Sequence, residues 1–213
     1  MVGIGAGGHA KVVAEIIQLC GLHEIVGLVD ANPTLHGAEI GGLPILGGEE
    51  VLARLRSEGV TSAFIGVGSV GDASRRKELF ESLAALGFET VEAIHPKAVV
   101  SRSARLGAGA IIMAGAVVNP GATIGDNVIV NTGAIIDHDC TIGAHCHVAP
   151  GATLSGTVTL GEGVHIGVGA TIRQGIAVGD RAIVGAGAVV VKDVAPGATV
   201  VGVPAQPLSR RPT

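Results

Sequence analysis

The sequence predicts a two-part chain: an α/β, Rossmann-like domain over residues 1–95, then a left-handed parallel β-helix with a C-terminal tail over residues 96–213. Three observations carry this. Residues 99–194 divide into sixteen consecutive hexads without an insertion, and the second residue of each is aliphatic, from Val100 through Ile136 and Leu154 to Val190. The residues before them alternate short aliphatic runs with segments of helical period. The composition, 35 Gly against three Phe and no Tyr or Trp, demands a narrow interior filled by small and branched side chains. The glycines follow no three-residue period, which excludes a collagen-like chain.

Taken in order, Val2 to Ile4 reads as a strand, Gly5 to Gly8 as a turn, and His9 to Cys20 as a helix. In that helix Val12, Val13, Ile16, Ile17 and Leu19 recur at helical spacing, and Gly21 ends it. Glu24 to Val29 is a second strand, stopped by Asp30, Asn32 and Pro33. Glu49 to Ser57 is a second helix closed by Gly59, and Thr61 to Val67 a third strand. Ala73 to Leu86 is a third helix with Gly87 just beyond its end, and Glu89 to Ile94 is the last strand. Strands alternating with helices imply right-handed crossovers and a parallel sheet. From Val99 onward three hexads close one triangular coil of 18 residues, giving a little over five coils. Each coil buries its aliphatics only against the next. Gly at the fifth position of many hexads suits a corner of positive φ.

A net charge of -4 gives no reason to bind nucleic acid or an anionic membrane. No charge-free apolar run approaches the roughly 18 residues of a membrane span, and the N-terminus opens on a strand rather than a signal peptide. A cytoplasmic location is the expectation. Cys20, Cys140 and Cys146 contain no CxxC pair and read as reduced core or flank thiols. His147 and His165 are one coil apart and should stack, but no third ligand stands at a fixed spacing, so no metal is expected.

Four segments carry a family resemblance: GAGGHAKVV at residues 5–13, HPKA at 95–98, NTGAIIDHDCTIG at 131–143 and GVPA at 202–205. Together they resemble the hexapeptide-repeat acyltransferases that N-acetylate nucleotide-linked sugars, the bacillosamine and perosamine type, which are related to sialic acid O-acetyltransferases. The resemblance covers nearly the whole chain. It implies a homotrimer, with acetyl-CoA as co-substrate in the cleft between neighbouring β-helices and a nucleotide-linked amino sugar on the N-terminal domain.

The chemistry implied is transfer of acetyl from a thioester to an amine, which needs a base and donors for a developing oxyanion. His138, in the hexad IIDHDC between Asp137 and Asp139, is the candidate base. The resemblance gives Asp139 the orienting role, although the family often has the longer Glu there. One coil after His138 stands Gly156, a bare position where a pantetheine arm fits and whose N–H can meet the thioester oxygen. The resemblance further implies that Asn131 contacts acetyl-CoA or the acceptor and that His147 approaches the acetyl carbonyl. Val168, Gly185, Gly187 and the GVPA segment resemble the parts of the family that line the CoA groove. Lys192, Arg210 and Arg211 are candidates to meet its phosphates, with solvated surface charge as the alternative reading for each, and Arg173 and Arg181 are weaker candidates.

In the N-terminal domain GAGGH falls short of GxGxxG because residue 10 is Ala. A glycine turn before a helix still lets backbone N–H groups approach an anion. The resemblance places Gly7, Gly8 and His9 near the acceptor's phosphates, Asp30 near the nucleotide, and the IGVGS turn with Gly66 and Gly68 in the same crevice. Two other readings stay open at this level, a sugar O-acetyltransferase and a non-catalytic nucleotide-sugar-binding scaffold. Whether the nucleotide is UDP or GDP is open too.

Overall fold

The computed structural model describes residues 1–208. The chain forms two compact units, one of Met1–Ser69 with Ser74–Pro96, the other of Val70–Ala73 with residue 97 onward. In the first unit the elements are β1 (Val2–Ile4), α1 (Gly8–Cys20), β2 (Gly27–Val29), β3 (Glu39–Ile40), β4 (Leu43–Pro44), α2 (Leu52–Ser57), β5 (Ser62–Ile65), α3 (Ser74–Ala85) and β6 (Glu89–Thr90). A parallel sheet runs in the order β2-β1-β5-β6, so the chain reverses direction across the sheet on either side of β1. Val2, Ile4, Val29, Ile65, Leu52, Leu79, Leu83 and Phe88 form its core.

Differences from the sequence reading have local causes. The second strand starts at Gly27 rather than Glu24, because its ladder partner β1 is only three residues long. The helix expected from Glu49 opens with a 3-10 turn over Glu49–Val51 before α2 begins. The strand expected over Glu89 to Ile94 pairs with β5 only as far as Thr90. The β3–β4 hairpin was not foreseen, yet its signal is present: Gly41 and Gly42 at φ 60° and 77° form the two-residue loop that right-twisted strands favour. As expected, α1 ends on Gly21 in the left-handed region, its N–H capping the carbonyls of Ile17 and Gln18.

The second unit is a β-solenoid of three parallel faces. From Val99 to Val190 each strand is the first two residues of a hexad, and strands 18 residues apart pair, as Ile111↔Ile129, Val117↔Ile135 and Thr123↔Thr141 show; at the C-terminal end the step shortens, Ile183 pairing with Thr199. The first face carries Ile111, Ile129, His147, His165 and Ile183. The second carries Val99, Val117, Ile135, Thr153, Thr171 and Val189, and the third Arg105, Thr123, Thr141, Thr159 and Ala177.

The sixth residue of the hexad points inward as well as the second. Ala110, Ala122, Val128, Ala152 and Val158 are all inaccessible to solvent there, and so are Cys140 and Cys146. Their thiols donate to the carbonyls of Ser155 and Gly161, at 3.2 and 3.0 Å. Burial pushes the pKa of both up, that of Cys146 to about 12, so neither is a nucleophile at neutral pH.

The fifth residue of each hexad from Gly109 to Gly187 lies in the left-handed region, with φ between 54° and 76°. Nine of these fourteen are Gly. The others, Asn127, Asp139, His145, Thr157 and Arg181, hold a side chain there at a cost of about 1 kcal/mol each.

Candidate active site

The corner between the second and third faces holds His138, the fourth residue of its hexad. Its side chain is about half exposed, and Nδ1 donates to Asp139 Oδ2 at 2.9 Å. That bond consumes Nδ1 and leaves Nε2 as the free basic nitrogen. The Asp139 hydrogen bond is also the main reason the pKa of His138 lies above its ordinary value. Desolvation opposes it, and the charges of Asp137 and Asp139 reinforce it in smaller measure. Asp139 reaches the ring from φ 57°, so the dyad is built on a strained corner residue.

Two glycines make room for the pair. A Cβ at Gly156 would sit 2.5 Å from His138 Nε2 and 2.6 Å from Cε1, and a Cβ at Gly121 would strike Asp139 Oδ1. Sequence spacing left an empty shelf above His138 for a pantetheine arm. In the structure the imidazole itself leans into that space. The Gly156 N–H has no hydrogen-bond partner among the described residues. Gly156→Ala is therefore expected to keep the fold but displace the ring, lowering turnover ~10- to 100-fold; steady-state rates on a variant of unchanged circular dichroism check this. Continuing up the same corner at intervals of one coil come Gln174 and the exposed Lys192. At about 4.8 Å per coil Lys192 stands roughly 14 Å from His138.

A second row of residues lies elsewhere on the solenoid. Asn131 Oδ1 accepts the Thr132 N–H at 2.8 Å, which turns its Nδ2 to donate to His147 Nε2 at 3.0 Å. His147 therefore carries its proton on Nδ1. Its ring is buried and meets His165 edge-on, with centroids 5.1 Å apart. Burial pushes the pKa of His165 down, and its Nδ1 is buried without a partner among the described residues. Nearby in the repeat, Val168 is exposed and accepts the Gly187 N–H at 2.8 Å. Two of the expected groove glycines have internal reasons: Gly185 sits against Val201, where a Cβ would approach to 2.7 Å, and Gly187 is a corner at φ 67°.

The two rows do not meet within one chain. His147 belongs to the first face, which lies opposite the corner that carries His138. Arg210 and Arg211 lie outside the described residues. Arg173 and Arg181 are both exposed.

In the N-terminal unit Gly7 and Gly8 face open space, and Gly7 has an ordinary φ of -85°. Neither packing nor backbone geometry calls for Gly at these positions. The amides at the start of α1 lack a side-chain cap. Asp30 ties this turn to the end of β2, its two oxygens accepting the N–H groups of Ala6 and Asn32 at 2.8 Å each. Gly66, by contrast, is explained by packing, since a Cβ there would fall 2.6 Å from that of Ala10; Gly68 lies in ordinary contact with the ring of His9. A crevice beyond the strand ends is lined by Gly5, Asp30, Glu49, Val67 and Arg75, the last paired with Glu49.

Arg76 underlies this crevice. It is fully buried and donates from Nη1 to the carbonyls of Ile65 and Val67 at 2.9 and 2.8 Å. Burial draws its pKa down to about 9, so it stays charged at neutral pH. Arg76→Leu leaves both carbonyls unsatisfied, and a loss of about 2–4 kcal/mol in denaturant unfolding is expected.

Asn119 and Gly121 join this cluster without having been singled out in the sequence, where Asp137 stood only as a flank of His138. The same 18-residue step that leads from His138 to Gly156 leads back from Asp137 to Asn119 and from Asp139 to Gly121. Among the described residues there is no group of three His, Cys, Asp or Glu that would hold a metal, and no helix long and apolar enough to cross a membrane.

Residues 2–83 match the family described as PglD N-terminal domain. Residues 103–138 and 121–156 match the bacterial transferase hexapeptide (six repeats), and 157–192 the hexapeptide repeat of succinyl-transferase. The UDP-N-acetylbacillosamine N-acetyltransferase of Bacillus subtilis (strain 168) is 37% identical over 112 residues, 52% of this chain and 50% of that protein. The match thus spans half the length of that curated relative. Among solved structures, PerB from Caulobacter crescentus in complex with CoA and GDP-perosamine is 43% identical, with a TM-score of 0.91 over 98% of this chain and 96% of that one. The acetyltransferase domain of PglB from Neisseria gonorrhoeae FA1090, in complex with acetyl coenzyme A, is 42% identical with a TM-score of 0.88 over 97% and 98%.

Proposed function

Because the chain belongs to the hexapeptide-repeat nucleotide-sugar N-acetyltransferases, the bacillosamine and perosamine type, we propose that it acetylates the 4-amino group of a nucleotide-linked 4-amino-6-deoxysugar from acetyl-CoA, with His138 as general base. The observation that carries this reading is the half-exposed imidazole with Nδ1 tied to Asp139 and Nε2 in the space that a Gly156 side chain would fill, Gly156 having an unpartnered N–H among the described residues. The thioester carbonyl oxygen would take the Gly156 N–H as the sugar amine attacks the carbonyl carbon. His138 Nε2 receives the amine proton, and Asp139 stabilises the imidazolium. Collapse of the tetrahedral adduct breaks the C–S bond, and the imidazolium returns the proton to the departing CoA thiolate. Cys140, one residue past the dyad, is withheld by burial, so acetyl passes directly between the two substrates.

Lys192 would meet the pyrophosphate, since its distance along the corner is close to the reach of the pantetheine arm. On the N-terminal unit, Gly7 and Gly8 would let the α1 amides approach the sugar-nucleotide's diphosphate. We place His147 and Asn131 in the same reaction centre as His138, which requires a neighbouring copy to supply them and supports a homotrimer.

The test is release of CoA thiol from acetyl-CoA against a panel of GDP- and UDP-linked 4-amino sugars and their 4-hydroxy counterparts. Turnover with a 4-amino member and parallel initial-rate lines absent is the expected result. No thiol release with any of them would leave a binding scaffold, and turnover of a 4-hydroxy member alone would make it an O-acetyltransferase.

A further inference from the structure

A recurring need of this solenoid is to satisfy the N–H of the fourth residue in each hexad, which the inter-coil ladder leaves out. At one corner an aspartate of the next coil does so: Asp126 Oδ1 accepts the Ala108 N–H and Asp180 Oδ1 the Glu162 N–H, both at 2.9 Å. At His138 that solution is closed. The residue one coil on is Gly156, and it cannot carry a side chain because the imidazole fills the space. Instead Asp137 Oδ1 accepts the His138 N–H at 2.7 Å. Asp137 is held in turn from the coil below by Asn119, whose Nδ2 donates to the same oxygen at 3.0 Å.

From this arrangement we infer that Asp137 and Asn119 are positioning residues for the base: together they clamp the backbone of His138 so that its ring stays beneath Gly156, and the Asp137 carboxylate favours the imidazolium formed during transfer. The inference rests on the reading of His138 as base, but the placement it describes is independent of turnover. The charged groups that act on the ring are Asp139 on its own turn and Asp137. The coil below presents Asn119 and Gly121, and the coil above Gly156 and Thr157, none of which is charged.

The variants separate clamp from charge. Asp137→Asn keeps an oxygen for the His138 N–H and for Asn119 but removes the charge, whereas Asp137→Ala removes both and Asn119→Ala weakens the clamp alone. In the full-length protein, the His138 ring is titrated by NMR, its signal assigned by loss in His138→Asn. A fall of about half a pH unit or more in its midpoint in Asp137→Asn is expected, since an attractive charge is gone. With substrate, Asp137→Ala should lower kcat about tenfold at nearly constant KM, and Asp137→Asn should recover most of that loss. An unmoved midpoint in both Asp137 variants overturns the inference, whatever the rates. Activity undiminished in His138→Asn would instead remove the base assignment and leave the NMR arm to judge the placement.

Discussion

Replacing His138 by Asn is expected to reduce thiol release at least ~100-fold, with the solenoid intact, because general-base assistance at an attacking amine is worth about two to four orders of magnitude. Asn is small enough for the space below Gly156 and can still donate to Asp139, so little besides the basic nitrogen is lost. The pH profile of the unaltered enzyme adds a second check. The base must be neutral to act, and its pKa is raised, first by the hydrogen bond to Asp139. The acidic limb of kcat/KM should thus lie above the ordinary histidine range. Asp139→Asn should move that limb to lower pH while lowering the plateau, since the imidazolium loses its partner. A limb that stays in place would separate the measured ionisation from His138.

Mixing two inactive variants should restore activity. His138→Asn and His147→Ala are each expected to lose at least tenfold in rate, yet the two histidines lie on opposite sides of one solenoid. If a site takes His138 from one copy and His147 from the next, random co-assembly of equal amounts leaves about one interface in four intact, and roughly a quarter of the unaltered activity returns. Light scattering of the same sample should give about three times the 21.0 kDa chain mass. Mixtures as inactive as their components would show that His147 acts elsewhere.

The repeat was legible to an unusual degree. An unbroken hexad fixes both the ladder register and the direction of each side chain, so one addition of 18 leads from His138 to Gly156 or from His147 to His165. The family segments led to the same dyad. The N-terminal unit was legible in its order of elements and less so in their lengths, because a strand there runs only as far as its partner. Gly66 and Gly185 show a different limit: both stand in motif-like contexts, yet each is explained by a neighbour, Ala10 or Val201, that no local pattern announces.

By itself the sequence determined the solenoid, its 18-residue coil and the corner glycines, all of them consequences of periodicity along the chain, while the choice of Asp139 as partner of His138 came from the family resemblance. Only the tertiary structure decided how the imidazole uses the bare position at Gly156, how Asn119 holds Asp137, and that Asn131 sets the protonated nitrogen of His147. Those depend on side-chain rotamers and on which polar atoms come within hydrogen-bond distance across coils, and such quantities appear once the chain has closed its triangular coil.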